Sequence, residues 1–320
     1  MKSWIIFSII LDEKNRKKIR PMENISSILK KIIANHKCQI NQDQIIDLVL
    51  NNASVQEFLQ VHKLKITDDI FKRSLNNLYI YIQECEHPSK VNQGYEPYLF
   101  VNGNMIDFAY RATLQKRIDD RKKYVQNLIH LVDLPLSLKN VELSAVDKTP
   151  ERIKALQEIG LFIQQYHVDK HAKGLYLEGD FGVGKTYMMA GLANGLAQEG
   201  NEVVFLHVPS FIAGLSDHFK DNSLTDKIMK IATATIVIFD DIGAESLTEW
   251  SRDEVLGVIL QRRMDNQLPT FFTSNMNFDA LTIHFAQVKN SYDDVKAKRL
   301  MERIRCLSKE VFVGGENRRR

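Results

Sequence analysis

The chain is short of several things, and each shortage excludes a class of protein. It has three cysteines in 320 residues: Cys38, Cys85 and Cys306. An odd number at such wide spacing rules out a disulfide framework and fits a reducing, cytoplasmic setting. Bilayer-spanning runs are lacking too. The apolar stretch Trp4 to Leu11 is too short to cross a membrane. The basic stretch Lys14 to Arg20 comes next in place of a small-residue cleavage site, so a secretory leader and a membrane partner are not expected. Net charge is scarce: 43 Lys and Arg against 40 Asp and Glu leave +3. Bulk charge therefore implies no nucleic-acid binding, and any basic surface must be local. There is no internal repeat and no low-complexity tract. The remainder is an ordinary soluble composition, 44% apolar and 26% charged, with length for about two domains.

The organisation changes along the chain. Residues 1–21 read as a disordered or mis-assigned extension, with Met22 opening the first ordinary helical pattern. Residues 22–115 form the first domain. Ile70, Phe71, Leu75, Leu78, Tyr79 and Ile82 recur at helical spacing. Then Tyr98–Val101 and Asn104–Tyr110 flank Asn102-Gly103, the signature of a β-hairpin. The charged run Gln115 to Lys123 leads into residues 116–150, which read as a helical linker. From residue 151 to 320, helices alternate with strand candidates at 175–178, 203–207, 236–240, 271–274 and 310–313. That alternation predicts a five-stranded parallel sheet covered by helices on both faces, with ligands at the carboxyl ends of its strands.

The chemistry concentrates there. Gly179-Asp180-Phe181-Gly182-Val183-Gly184-Lys185-Thr186 matches G-x-x-x-x-G-K-[ST], preceded by a strand and followed by a helical pattern. Glycines let main-chain amides approach a polyphosphate, and the amides of a helix start point at negative charge. Lys185 is expected on the β- and γ-phosphates of ATP, and the Thr186 hydroxyl on Mg²⁺. The apolar strand Thr235 to Phe239 ends in Asp240 and Asp241. Asp240 is the second expected magnesium ligand, and Asp241 is placed to orient or deprotonate an attacking water. A further strand ends at Asn275, a candidate to position that water or sense the γ-phosphate. In Lys298 to Arg305, Arg299 and Arg303 stand four apart on one helical face; from the residues alone a solvated basic face is the better reading.

Gly174 to Leu177, Asp240 to Glu245, Phe272 to Asn275, Arg299 to Arg305 and Gly315 to Arg319 together resemble the DnaI family of bacterial replicative-helicase loaders, a branch of the AAA+ ATPases related also to the DnaC loaders. The resemblance implies a P-loop AAA+ core after a smaller, mostly helical domain with a hairpin. Only 15 residues follow Arg305, so no C-terminal helical lid is expected. The resemblance implies an N-terminal domain that grips the hexameric replicative helicase. It implies an ATPase, slow and assembly-dependent, that self-associates on the helicase, binds single-stranded DNA and meets initiator or primosome proteins. Arg303, with Arg299 second, becomes a candidate finger acting on a neighbour's phosphates. Some relatives carry zinc; here Cys85 with His87, and His36 with Cys38, lack the tight spacing, and zinc is not expected. Lys220, Lys227 and Lys230 are candidate DNA contacts, while Phe211 and Phe219 read as core. The competing readings are a transposition helper ATPase of the same branch, a nucleotide-gated adaptor without significant hydrolysis, and a small-molecule P-loop kinase.

Overall fold

The computed structural model of the protein describes residues 42–62, 67–215, 223–288 and 291–318. The expectations for residues 1–21, His36, Cys38, Phe219, Lys220, Arg319 and Arg320 lie outside them. The chain divides into two compact units between Lys116 and Arg117.

The first unit contains α1 (Gln42–Asn51), α2 (Ala53–Val61), α3 (Asp68–Glu86) and the antiparallel pair β1 (Tyr95–Asn102) and β2 (Met105–Ala112). Asn52 caps α2, accepting from the amides of Ser54 and Val55, and Thr67 caps α3 through the amide of Ile70. The core gathers Val49, Val55, Leu78, Tyr81, Ile82 and Ile106. Asn102 pairs with Met105, so the hairpin loop is Gly103-Asn104, one residue later than the sequence reading. Gly103 has φ +57° and Asn104 does not share a positive φ, the pattern of a type II′ turn. Helix α3 satisfies the free edge of β2: the Ile106 amide donates to Ser74 Oγ at 2.6 Å, and Asn77 Nδ2 donates to the Ile106 carbonyl at 3.1 Å.

The chain passes into the second unit within α4 (Leu114–Leu128). There β3 (Ile129–Val132), β4 (Gly174–Glu178), β5 (Val203–His207), β6 (Ile236–Asp240), β7 (Thr270–Ser274) and β10 (Ser308–Phe312) form one parallel sheet, in the order β10-β4-β7-β6-β5-β3. The sheet has six strands, not five. The segment expected as a helical linker contributes β3, which pairs with β5 at the edge. Only four residues long and incompletely buried, it leaves a weaker apolar signal than the central strands.

Successive side chains of the central strands point to opposite faces and feed two cores. Tyr176, Val204, Leu206, Val237, Phe239 and Phe272 pack on one side. Leu175, Leu177, Val203, Phe205, Ile236, Ile238 and Phe271 pack on the other. The first core is covered by α7 (Val208–Gly214), α8 (Ser223–Thr233), α9 (Gly257–Asp265), α10 (Phe278–Ala286) and α11 (Asp294–Leu307). The second is covered by α5 (Pro150–Val168) and α6 (Lys185–Gln198). Each fully buried Leu, Ile or Phe contributes about 1.5–3 kcal/mol, so these two layers dominate the unit's stability. Phe211 is buried in the first core, as its spacing suggests. A π-helical turn at Ser251–Leu256 runs directly into α9. A minor antiparallel pair, β8 (Gln287–Val288) and β9 (Ser291–Tyr292), precedes α11. No helix among the described residues is long and apolar enough to cross a membrane.

Candidate functional site

Parallel strands run in one direction, so their carboxyl ends share one edge, and the candidate residues arrive there on separate elements. Residues 179–184 link β4 to α6. Gly182 (φ +77°) lies where a side chain would collide with the chain's own end: a β-carbon there would sit 2.0 Å from Asn317 Oδ1. The segment after β10 lies along this loop, with the Val313 amide donating to the Glu178 carbonyl at 2.7 Å and the Arg318 amide to the Gly182 carbonyl at 3.1 Å. Gly184, at φ +99°, stands at the N-cap of α6. The loop's other side chain of note, Phe181, is 63% exposed.

Lys185 is buried, and its ammonium is not bare. Nζ donates to the carbonyls of Gly179 and Asp180 at 2.7 and 2.8 Å, and to Asn275 Oδ1 at 2.7 Å. Asn275 in turn donates through Nδ2 to Asp241 Oδ1 at 3.2 Å. One polar chain thus ties the loop after β4 to the ends of β7 and β6. Beside it, Asp240 Oδ1 accepts from Thr186 Oγ1 at 2.8 Å and from Thr273 Oγ1 at 2.7 Å. Burial pushes the Asp240 carboxyl above the usual carboxylate range, and those two hydrogen bonds oppose the rise. Asp241 has φ +58°, a left-handed conformation held by its amide donating to Thr273 Oγ1 at 2.9 Å. Such strain persists where the surroundings over-determine it, as at a functional turn.

These groups line one cavity of about 510 Å³, walled by Lys185, Thr186, Asp240, Asp241, Thr273 and Asn275 on its polar side, and by Leu138, Ala145 and Val146 on an apolar side. The combination suits a nucleotide: an apolar wall for a base beside a cationic loop for phosphates. The closely placed Thr186 hydroxyl and Asp240 carboxylate are the hard oxygen donors that Mg²⁺ prefers.

The structure brings Lys185, Thr186, Asp240, Asp241 and Asn275 together. It does not bring Arg299 or Arg303 to this cavity. Both sit on α11, where Arg299 is exposed and Arg303 Nη1 donates to the Gly257 carbonyl at 3.0 Å. Lys227 and Lys230 are exposed on α8. Cys85 and Cys306 are free thiols, and among the described residues no group of three potential ligands gathers for a metal.

Two site residues escaped the sequence reading. His207 ends β5 with Nε2 4.0 Å from Asp241 Oδ2 and Nδ1 2.8 Å from Ser210 Oγ. Its place at a strand's carboxyl end, the rule applied to Asp240 and Asn275, was the available signal. Arg152, in the first turn of α5, is 3% exposed and lines the cavity. Nothing in a Pro-Glu-Arg helix start distinguishes it from an ordinary solvated charge.

Parallel sheet, phosphate-type loop, acidic strand end and cavity define an ATP-binding protein of the AAA+ type. Residues 112–320 match the family described as IstB-like ATP binding protein, and residues 22–110 match Primosomal protein DnaI N-terminus. The replicative helicase loader DnaI of Bacillus subtilis (strain 168) is 38% identical over 309 residues, which cover 93% of this chain and 99% of that protein. The chain belongs to the DnaI family. A crystal structure of DnaI, 39% identical, covers 61% of this chain and 98% of its own, with a TM-score of 0.53. That of a putative primosome component from Streptococcus pyogenes serotype M3, 38% identical, covers 61% and 97%, with a TM-score of 0.52. An insertion sequence IS1162 putative ATP-binding protein of Pseudomonas fluorescens is 29% identical over 126 residues, 38% of this chain and 52% of that protein.

Proposed function

We propose that this protein is a cytoplasmic helicase loader that delivers the hexameric replicative DNA helicase onto single-stranded DNA, using ATP as a switch. The observation that carries the reading is the convergence of Lys185, Thr186, Asp240, Asp241 and Asn275 on one cavity, in a chain that matches the loader DnaI over nearly its whole length. Two insertion-sequence ATP-binding proteins match over 38% and 46% of the chain, against 93% for DnaI, which leaves a transposition helper the weaker reading.

When bound, ATP with Mg²⁺ supplies the phosphoanhydride whose presence or loss changes the assembly. The protein's residues hold and read it. Main-chain amides of residues 180–186 and the Lys185 ammonium receive the phosphates. Thr186 and Asp240 supply oxygens to the ion. Asp241 orients a water and accepts its proton, with Asn275 and His207 fixing the carboxylate. Arg299 and Arg303, outside the cavity of their own subunit, act on that of a neighbour, which makes hydrolysis slow in the isolated chain and dependent on assembly. The N-terminal unit grips the helicase.

The test is helicase placement on a circular single strand, measured with the full chain and with Asp241→Asn. The variant is expected to bind ATP and helicase normally and to lose about 10²-fold or more in phosphate release, by the usual scale of general-base removal. Failure of the wild-type chain to retain the helicase would overturn the loader reading. Phosphate release unchanged in Asp241→Asn would overturn that residue's role.

A further inference from the structure

Arg152 presents a problem that the residues around it do not solve. It is 3% exposed, yet its Nε and Nη2 have no hydrogen-bond partner. Burying a cation without partners is among the costlier things a fold can do. The nearby acids do not relieve it. Asp147 is bonded to Arg318 instead, in a pair that brings a second cation near. Burial, and then Arg318, hold the Arg152 guanidinium below its ordinary range, against weaker pulls from Asp147 and Glu151.

Its position indicates what would relieve it. Arg152 and Arg318 both line the cavity that holds Lys185 and Thr186. A β-carbon on Gly184, the residue before Lys185, would stand 3.6 Å from Arg152 Nη2, and one on Gly315 would stand 3.6 Å from Nε. The unpaired nitrogens therefore sit between the phosphate-type loop and the segment after β10. That segment keeps its place by main-chain bonds to Glu178 and Gly182.

We propose that Arg152 is a phosphate ligand supplied by the same subunit, completing with Lys185 the cationic lining that receives the polyphosphate of the bound nucleotide, with Arg318 held beside it by Asp147. This rests on the nucleotide reading of the cavity and extends it to a residue from outside the loop motif. A phosphate is favoured over a base or a ribose because only an anion offsets the desolvation of a formal charge, and the guanidinium fork matches phosphate oxygens in pairs.

The experiment uses the full chain and calorimetric titration with ATP and with inorganic tripolyphosphate, each with magnesium. Thermal melts with and without ATP accompany it. Arg152→Gln is expected to bind both ligands about 10- to 100-fold more weakly, the worth of lost charge-assisted hydrogen bonds. Its ligand-free melting temperature should equal or exceed that of wild type, because an unpaired buried cation has been removed. Unchanged affinity in the folded variant overturns the inference, as does a loss confined to ATP with tripolyphosphate unaffected, which would place Arg152 against the nucleoside. If Arg152→Gln does not fold, Arg152→Met, which keeps the packed stem, is read the same way. If neither folds, the residue is structural and the inference falls. A wild-type chain that takes up no ATP would overturn the nucleotide reading itself, whereas wild-type uptake matched by the variant would remove Arg152 alone.

Discussion

Two buried arginines mark opposite ends of the sheet and differ in one respect. At the amino ends of β6 and β7, Arg263 is fully buried, and all three of its guanidinium nitrogens are hydrogen-bonded. It donates to the carbonyls of Ile231, Ala234 and Pro269 and to the Thr270 hydroxyl, at 2.7–3.1 Å. At the carboxyl ends, Arg152 is almost as buried, and two of its nitrogens have no partner. The first arrangement is finished: each of the three guanidinium nitrogens found an acceptor when the chain folded. The second is complete only with something the chain does not contain. A satisfied charge signals architecture, and an unsatisfied one at a cavity wall signals a visitor.

Variants at the two ends should therefore fail in different ways. The largest effect is expected for Arg263→Met, which removes four hydrogen bonds from the interior at once, those to Ile231, Ala234, Pro269 and Thr270, and should cost about 3 kcal/mol or more in urea unfolding. A smaller loss would mean that water replaces the guanidinium and that this end is less closed than it looks. Lys185→Ala should instead spare the fold, shifting stability by about 1 kcal/mol, while ATP affinity measured by titration falls about 100-fold or more. Equal damage to fold and affinity would erase the distinction between the ends.

Asp240→Asn sharpens the contrast further, because the change should stabilise the ligand-free protein. The folded Asp240 carboxyl titrates above its unfolded value of about 3.9, so the folded state takes up the proton more readily and the ionised form costs stability at neutral pH. The gain should be full at neutral pH, where the wild-type carboxyl is ionised. It should shrink as pH falls through the raised value toward the unfolded one, and magnesium-dependent nucleotide binding should weaken throughout. A variant less stable than wild type at neutral pH would refute this. Smallest of all, Asp147→Asn breaks an exposed pair and should leave the melting temperature unchanged.

Much of the site was legible in the sequence because the motif residues are contiguous or stand at strand ends. The loop around Lys185, the Asp240-Asp241 pair and Asn275 each terminate an apolar run, and parallel topology carries such termini to one edge. The rest was hidden for definite reasons. β3 is too short and too near the surface to outweigh the charged helix before it. Nothing in the residues around Arg252 and Arg263 distinguishes them from solvated charges, and only tertiary packing reveals that both are buried. Arg152 reaches the cavity through the fold of residues 133–150, whose two short 3₁₀ turns pack against α6 and leave no periodic trace. The hairpin was visible in its two apolar runs, and its exact loop was fixed by register, which a one-residue slip would invert.

The three oxygens that hold the Lys185 ammonium have a kinetic consequence. A nucleotide arriving at this edge must win that charge from Gly179, Asp180 and Asn275, so entry is an exchange of partners and proceeds more slowly than an encounter with an open cation would. The exchange also frees Asn275 on one side while its other bond still reaches Asp241. An occupied loop would then leave Asn275 with one partner in place of two, and that partner is the carboxylate at the neighbouring strand end.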